Sequence, residues 1–237
     1  MPVYEAWGPV GPAALPALAE ARAGAYGFFS TLFLEEFSPA LAGRIAQPEV
    51  QPALTEILGH NEDLADLFAE TDKARLDPAY MNDLQLEYHR LFLVPGPAYL
   101  TPYESCYREK KPDGGMGNNW GQGTREVRAI YVRFGVKSLA EFKELPDHAG
   151  IELAFMQFLA EQESAAARAN NSSQMTNLKL WQQHFFNQHL LCWLPELAAK
   201  LAGTAEYRFY QVVAALVLRF VNKERIYFAA SGVEANC

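Results

Sequence analysis

The sequence is poor in cysteine, in cationic side chains and in long apolar runs. Cys106, Cys192 and Cys237 form no C-x-x-C pair and are odd in number, which excludes a full disulfide framework and indicates a reducing compartment. The first residues lack the basic and apolar regions of a secretory signal, so we expect a cytoplasmic protein. The most apolar segment, residues 207–221, is shorter than the roughly 20 residues that span a bilayer, and it predicts a buried helix.

The charge balance is acidic. Lysine and arginine together number 20 against 28 aspartates and glutamates, which gives a formal net charge of -8. Nucleic acids and anionic membranes attract basic patches, so neither is an expected partner. Neutral or basic partners fit this composition, and the alternative is that the acidity only keeps the protein soluble.

The periodicity of apolar residues is helical along most of the chain. No strict two-residue alternation bounded by turn signals is present, and the predicted fold is therefore an all-α multi-helix bundle. Half of the 237 residues are hydrophobic, enough for one sizeable core. We predict a single compact domain over residues 1–237, with one lobe at about residues 1–142 and a second at about 147–237, joined by a hinge near Pro146.

Local signals predict where individual helices begin and end. Asp77 and Pro78 have the residue types of an N-cap and a first-turn proline, and Thr124 and Asp147 are predicted to cap two later helices. Gly135 is predicted to close the first of these, and residues 138–142 to form a short turn. On the helix after Asp147, the acidic residues are predicted to face outward; they are Glu152, Glu161 and Glu163. The run Trp193-Leu194-Pro195 is predicted to bend the chain into a brief helix.

The most informative stretch couples an amphipathic helix to a rigid loop. Leu84, Tyr88, Leu91 and Phe92 recur at the spacing of one helix face. Three prolines then prevent the helix from continuing, and the third begins the run Pro102-Tyr103-Glu104-Ser105-Cys106-Tyr107. A loop of this kind is suited to presenting side chains to a partner.

These residues, with two later motifs, resemble the TorD/DmsD/NarJ family of chaperones for molybdenum enzymes. The later motifs are Pro146-Asp147-His148 followed by Glu152-Leu153-x-Phe155-Met156, and His189-Leu190-x-x-Trp193-x-Pro195. The resemblance covers the chain from the seventies to about Pro195. It departs from the family pattern at Cys106, where a β-branched residue is commoner, and at residues 112–123, which resemble an insertion.

The resemblance implies a cytoplasmic chaperone that is not an enzyme. Its partners would be the twin-arginine leader, or N-terminal tail, and the apo catalytic subunit of a molybdopterin-containing oxidoreductase. It would assist cofactor insertion and delay export. No cofactor or metal of its own is expected. The leader-binding residues carried over are Tyr88, Leu91, Phe92, Pro102, Tyr103, Glu104, Ser105, Tyr107, Asp147, His148, Glu152 and Phe155.

Several of these residues have a second interpretation. His148 and Glu152 lie one helical turn apart, a spacing that could hold a metal or an acid–base pair, yet two groups do not complete a site. Asp147 could cap the helix while His148 bonds a loop carbonyl, whereas the family resemblance implicates both in leader recognition. Tyr88 could be an ordinary core aromatic, and Tyr103 is the better contact candidate.

Two kinds of contact with a leader peptide are expected. Gathered carboxylates would complement paired arginines through charge-assisted hydrogen bonds; the candidates are Glu87, Glu104, Asp147 and Glu152. Leu91, Phe92 and Phe155 could line a groove for the apolar part of the peptide. The alternative for the carboxylates is a solvated acidic face without a partner.

Two other functions remain open on the sequence. Residues 112–123 are rich in glycine and asparagine and predict a mobile surface loop whose backbone amides could contact GTP or molybdopterin guanine dinucleotide. That segment lacks the phosphate-loop pattern and follows no strand. The protein could also be an oligomeric scaffold without a ligand, for which exchange of helices about the Pro146 hinge would be a route to dimers. As a chaperone, it is expected to be a monomer or such a helix-swapped dimer.

Overall fold

The computed structural model describes residues 14–136 and 144–230, and every regular element among them is a helix. The all-α prediction is confirmed. The helices are α1 Leu15–Leu34, α2 Pro39–Ile45, α3 Val50–Leu58, α4 Glu62–Leu76, α5 Pro78–Tyr88, α6 Glu104–Arg108, α7 Gln122–Arg133, α8 Ala149–Arg168, α9 Ser172–Phe185, α10 Leu191–Thr204 and α11 Arg208–Ala229.

Side-chain caps explain where several helices begin. Asp77 accepts hydrogen bonds from the backbone N–H groups of Ala79 and Tyr80, as predicted, and Pro78 occupies the first turn of α5. Asn61 caps α4 in the same way, with a 2.9 Å bond from the N–H of Leu64 to its Oδ1. Each cap satisfies N–H groups that the helix itself cannot.

Three predicted boundaries are wrong. α7 begins at Gln122, and Thr124 is buried inside it instead of capping it. The N-cap of α8 is His148, not Asp147, because the imidazole Nδ1 accepts from the N–H of Gly150. Pro195 lies inside α10, so Trp193-Leu194-Pro195 continues one helix and does not bend the chain into a new one. The predicted turn at residues 138–142 lies outside the described residues.

Other local predictions agree with the structure. Gly135 follows α7 with a φ of 66°, the left-handed conformation that glycine tolerates at a helix end. Two π-helical turns were not predicted, His89–Leu93 after α5 and Phe186–Leu190 between α9 and α10. In the first turn, the N–H of Val94 donates to the carbonyl of His89 over 2.8 Å. Such turns are frequent at functional sites.

The chain divides into two compact units, each assembled from separate segments. The first unit includes residues 35–100 and 195–230, and the second includes residues 14–34, 101–136 and 144–194. Both units therefore draw on residues from either side of the predicted hinge, so their division differs from the lobes at 1–142 and 147–237. The single domain stays a prediction.

In the first unit, helix α11 supplies much of the core. Phe209 packs against Phe37, with 4.2 Å between ring centroids. The phenol of Tyr210 donates to the carbonyl of Leu84 over 2.8 Å, joining α11 to α5. The predicted buried helix over residues 207–221 is confirmed, because both aromatic residues and most of the apolar side chains after them are buried.

In the second unit, α1 and α8 approach closely along their lengths. A β-carbon on Gly150 would collide with the side chain of Leu34, so glycine is required for the approach. The hydroxyl of Ser30 donates to the carbonyl of Gly150 over 2.7 Å. An aromatic cluster fills the centre of the unit, with Phe155 at 4.8 Å from both Tyr131 and Phe185 between ring centroids.

A buried ion pair also joins α1 to α8. Arg22 Nη1 lies 3.2 Å from Glu163 Oε2, and the Arg22 and Glu163 side chains are 0% and 6% exposed. Gln182 of α9 donates to the same carboxylate oxygen over 2.7 Å. Glu152 and Glu163 are buried, so the prediction that they face outward is wrong. Paired partners make the burial tolerable, since an unpaired charge in this position would be costly.

We expect Arg22→Met to lower the free energy of unfolding by about 3–5 kcal/mol, because it leaves the Glu163 carboxylate buried without its cation. The matched control is Arg168→Met, which breaks the exposed pair between Arg168 and Glu20 of the same two helices. Its cost should stay below about 1 kcal/mol. Urea denaturation of both variants measures the difference, and similar losses in the two would contradict a buried pair.

Candidate functional site

The structure joins the segment at residues 102–105 to the segment at residues 147–149 in the second unit. The N–H of Glu104 donates to the carbonyl of Asp147 over 2.9 Å, and that of Ala149 donates to the carbonyl of Pro102 over 2.8 Å. Tyr103 and His148 form an isolated antiparallel bridge between these bonds. Two motifs that are more than 40 residues apart in sequence are therefore adjacent in space.

Asp147 fixes the start of α6. Its Oδ2 accepts from the backbone N–H of Ser105 at 3.1 Å and from the Ser105 hydroxyl at 2.5 Å. Both residues are fully buried, and the Ser105 hydroxyl also lies 3.3 Å from that of Thr124. Among the described atoms, Asp147 Oδ1 has no hydrogen-bond partner. The carboxylate thus performs for α6 the capping role that the sequence assigned to it on α8.

Glu104 is the meeting point of three helices in this unit. Arg108, one turn later on α6, donates to its Oε1 over 2.6 Å. His189, in the π-turn after α9, places Nδ1 2.9 Å from Oε1 and 3.0 Å from Oε2. The Gly123 position on α7 has room only for a glycine, because a β-carbon there would lie 2.9 Å from Glu104 Oε2. Glu104 is itself fully buried.

Glu152 completes the cluster from α8. Its Oε2 accepts from the indole N–H of Trp193 over 3.1 Å, and its Oε1 has no partner among the described atoms. Burial, followed by the neighbouring Glu104 carboxylate, raises the pKa of Glu152 well above its usual value. The folded state therefore favours the protonated acid, and the resulting stability is present at low pH and declines as pH rises.

His148 lies at the edge of the cluster and is uncharged at neutral pH. Burial lowers its pKa to about 4, although the nearby Glu144 acts in the opposite direction. The hydrogen bond agrees with this state, since Nδ1 accepts from the Gly150 N–H over 3.1 Å and must be unprotonated to do so. The ring packs edge-on against Tyr103, with centroids 5.3 Å apart.

Tyr103 is the most accessible of the predicted site residues. It is half-buried, and its phenol donates to Glu144 Oε2 over 2.5 Å. The other predicted residues of the second unit are buried; they are Pro102, Glu104, Ser105, Tyr107, Asp147, His148, Glu152 and Phe155. The polar cluster therefore holds this segment in place, and the half-buried Tyr103 and Glu144 lie at its surface, as does the exposed Arg108.

The remaining predicted residues belong to the first unit. Tyr88, Leu91 and Phe92 are 5%, 0% and 6% exposed, so they are core residues there. Tyr88 packs against Phe92 with ring centroids 5.3 Å apart, which supports its interpretation as a core aromatic. Leu91 and Phe92 are buried in the first unit, and Phe155 is buried in the second.

Glu87, another expected contact for arginine, is also engaged inside the first unit. Its carboxylate accepts two bonds from the guanidinium of Arg90, at 2.6 and 2.7 Å, and one from the N–H of Glu206 at 2.7 Å. Its side chain is 1% exposed. In this conformation, the carboxylates predicted to contact arginines therefore make internal hydrogen bonds that stabilise the fold. They do not form an exposed acidic face.

The glycine-rich segment at residues 112–123 is anchored to α6. Its amides donate internally: Gly114 to the Lys111 carbonyl, Gly115 to Asp113, Gly117 to the Cys106 carbonyl and Gly123 to Glu109. A β-carbon at Gly117 or Gly121 would collide with Glu109. Four of the glycine amides that could contact a phosphate are thus already hydrogen-bonded in this conformation.

The described residues contain neither a metal-binding cluster nor a helix that could span a membrane. No group of three or more histidine, cysteine, aspartate or glutamate side chains within residues 14–136 and 144–230 is arranged to hold a metal ion. Among the same residues, no helix has the length and apolarity to cross a membrane. His148 and Glu152 do not form the metal or acid–base pair that their spacing allowed, because they bond to Gly150 and Trp193 respectively.

The profile of the family described as "Nitrate reductase delta subunit" matches residues 48–199, which include the whole polar cluster. The chain belongs to this family. The match covers all three motifs on which the resemblance to the TorD/DmsD/NarJ chaperones was based, so that prediction is confirmed.

Curated relatives of this chain carry chaperone names. The "Chaperone protein TorD" of Vibrio cholerae serotype O1 is 28% identical over 89% of this chain and 93% of its own. That of Vibrio parahaemolyticus is 29% identical over 88% and 94%, and that of Shewanella loihica is 27% identical over 86% and 90%. The prediction of a chaperone, not an enzyme, agrees with these relatives.

Sequence reasoning missed several members of the cluster. His189 and Trp193 belong to the third motif, which does not predict their roles. Their four-residue spacing places both beside the acids Glu104 and Glu152. Arg108 lies four residues after Glu104, which is a spacing typical of ion pairs on one helix. Glu144 carried no motif signal, because its bond to Tyr103 depends on the fold.

We expect His148→Asn to change how stability depends on pH. In the wild type, the folded-state pKa of about 4 lies below the usual 6.5, so protonation on acidification favours unfolding. The wild-type stability from this group is lost as pH falls from 6.5 towards 4, at about 1.4 kcal/mol per pH unit. Asparagine keeps a cap acceptor but does not titrate.

The difference in unfolding free energy between wild type and His148→Asn should therefore shrink by about 2 kcal/mol between pH 7 and pH 5. Glu152 contributes with the opposite sign, but both proteins retain it and its effect cancels. Urea titrations across this range provide the measurement. A difference that does not vary with pH would show that His148 is not neutral and buried in the folded protein.

Proposed function

We propose that this chain is a maturation chaperone for a molybdopterin-containing oxidoreductase. In this proposal it binds the twin-arginine leader, or the N-terminal tail, of the apo catalytic subunit in the cytoplasm and releases it after cofactor insertion. Membership of the nitrate reductase delta family and the chaperone names of the relatives support it. The chaperone itself would hold no cofactor or metal.

The observation that carries the proposal is the anchored segment at residues 102–107, where the predicted loop is limited to residues 102 and 103 and the rest is the start of α6. Its backbone is held by Asp147 and by the bonds between residues 102–104 and 147–149, while the half-buried Tyr103 reaches the surface with Glu144. We infer that Asp147 and His148 act through the loop as positioning residues. Tyr103 and Glu144 would touch the peptide, the tyrosine through its ring and the glutamate through a leader guanidinium.

A preference for the unfilled enzyme would explain release without catalysis. A chaperone that binds only the open apoenzyme stabilises that state by mass action. Once the client has folded around its cofactor, the preferred state is no longer populated and the complex dissociates. No nucleophile or general base is needed for such a cycle.

The other functions left open by the sequence gain no support from the contacts. The glycine-rich amides that could meet GTP or molybdopterin guanine dinucleotide are bonded internally. Exchange of helices about Pro146 stays a prediction; in the protomer, the carbonyl of Pro146 accepts from the Tyr131 phenol at 3.0 Å. We therefore propose leader binding ahead of nucleotide binding and of helix exchange.

Calorimetric titration of the wild type with twin-arginine leader peptides should show saturable binding to one of them. The twin-lysine version should bind more weakly, since an ammonium cannot make a bidentate bond to a carboxylate. Tyr103→Ala and Glu144→Gln should each weaken binding by roughly ten-fold, which is about 1.4 kcal/mol. Added salt should weaken it further.

The matched control is Tyr99→Ala, which removes another half-buried tyrosine from a loop in the first unit. It should leave the affinity unchanged. Thermal denaturation of all three variants checks that they fold. Wild-type affinity in both Tyr103→Ala and Glu144→Gln would exclude this surface as the leader site. Binding to no leader and to no N-terminal tail of a molybdopterin-containing catalytic subunit would contradict the function itself.

A further inference from the structure

Basic residues are concentrated in one segment of this acidic chain. Residues 108–133 contain six of the 20 lysines and arginines and three carboxylates, so the segment is cationic while the whole chain carries -8. Two of these carboxylates are used internally: Glu109 accepts from Gly123, and Glu126 accepts from Gln122 over 2.6 Å and lies 3.6 Å from Arg108. Asp113, the third, accepts from the Gly115 N–H; all three acids keep their charge, so six cations against three carboxylates leave the segment a formal charge of +3.

Helix α7 separates its buried and exposed faces. Gly123, Thr124, Val127 and Tyr131 are buried. The opposite face is exposed along its length, at the three- and four-residue spacing of a single helical stripe; it consists of Arg125, Arg128, Ala129 and Val132. Within the described part of the chain, neither Arg125 nor Arg128 has a carboxylate in ion-pair contact.

Large apolar side chains lie at both ends of this stripe. Val132 is 74% exposed near the end of α7, and Trp120 is 62% exposed just before its start. Trp120 has a φ of 66°, which is unusual for a bulky residue, and Arg125 donates to its carbonyl over 3.3 Å. At 1.5 Å per residue, the helix between them rises on the order of 15 Å.

We propose that this stripe, Trp120 with Arg125, Arg128 and Val132, is a docking surface for an acidic amphipathic helix of a partner protein. Its two cations between two apolar contacts match a helix that carries carboxylates between two apolar residues about ten positions apart. The basic leader of the proposed function does not fit, because like charges would repel it. The stripe is therefore separate from the Tyr103 surface and does not depend on the leader proposal.

A nucleotide is the competing occupant, since an exposed tryptophan beside cations can stack a base. The extent of the stripe favours a helix. Val132 lies ten residues beyond the start of α7, and a mononucleotide stacked on Trp120 would leave it uncovered. A helical segment covers both apolar side chains at once and pairs with both arginines.

The probe is a synthetic helical peptide of about 18 residues with glutamates between two leucines about ten positions apart, together with its lysine counterpart. The wild type should bind the glutamate peptide saturably and the lysine peptide much more weakly. The double variant Arg125→Glu, Arg128→Glu should bind the glutamate peptide at least about ten-fold more weakly and gain affinity for the lysine peptide. Adding Trp120→Ala should weaken binding of the glutamate peptide to the wild type and of the lysine peptide to the double variant.

The control is the double variant Arg75→Glu, Arg225→Glu, which changes the net charge equally at two exposed arginines of the first unit. It should keep wild-type affinity for the glutamate peptide. Equal binding of both peptides to the wild type, or the same loss in the two double variants, would overturn the proposal, since only overall charge would then matter. Displacement of the peptide by GTP, with GTP binding abolished in Trp120→Ala, would assign the stripe to a nucleotide instead.

Discussion

The burial of three carboxylates, Glu104, Asp147 and Glu152, is the constraint on which the second unit depends. Carboxylates removed from water must be hydrogen-bonded or protonated, and each of these solves the problem with a partner from another helix or segment. Glu104 is met by Arg108 and His189, Asp147 by Ser105, and Glu152 by Trp193. Because these partners come from α6, α10 and the π-turn before it, the cluster fixes the register of the helices around it.

This constraint also explains two unusual features of the site, a π-helical turn and a helix N-cap formed by a histidine side chain. The π-turn at Phe186–Leu190 directs His189 towards Glu104 while Trp193 remains one turn away, beside Glu152. The N-cap of α8 is the neutral side chain of His148, which leaves the carboxylate of Asp147 for the amide of Ser105. Tyr103 pairs with His148 and precedes the residues that Asp147 holds. It is thereby fixed at the surface with little freedom to move.

The sequence predicted the helices well, because caps and periodicity are local. Asp77 specifies the start of α5 through its side-chain cap and Pro78 through its fixed backbone, and Gly135 specifies an end through its φ. The burial of Glu152 and Glu163 could not be predicted in the same way. Their partners, Trp193 and Arg22, are 41 and 141 residues away, and an acid on a helix face is exposed unless the fold brings such a partner to it.

The candidate site could also be predicted only in part, because its contacts join segments that are distant in sequence. The motifs correctly associated the segment at 102–107 with Asp147 and His148, but family resemblance does not distinguish a residue that contacts a peptide from one that positions the contact. Asp147, with 0% exposure and two bonds to Ser105, is inaccessible in this conformation, and our proposal therefore assigns it to the second kind. Tyr103 and Glu144, which meet only in the folded chain, are the accessible pair.

The measurement that tests this account most directly is amide hydrogen exchange of Asp147→Ala beside the wild type. If Asp147 holds the loop, protection should fall at residues 102–107 while α1 and the rest of α8 keep wild-type protection. Unchanged protection of residues 102–107 would show that the loop is held without the carboxylate and would contradict its positioning role. A uniform loss across the second unit would show that Asp147 supports the core as a whole, and not the loop in particular.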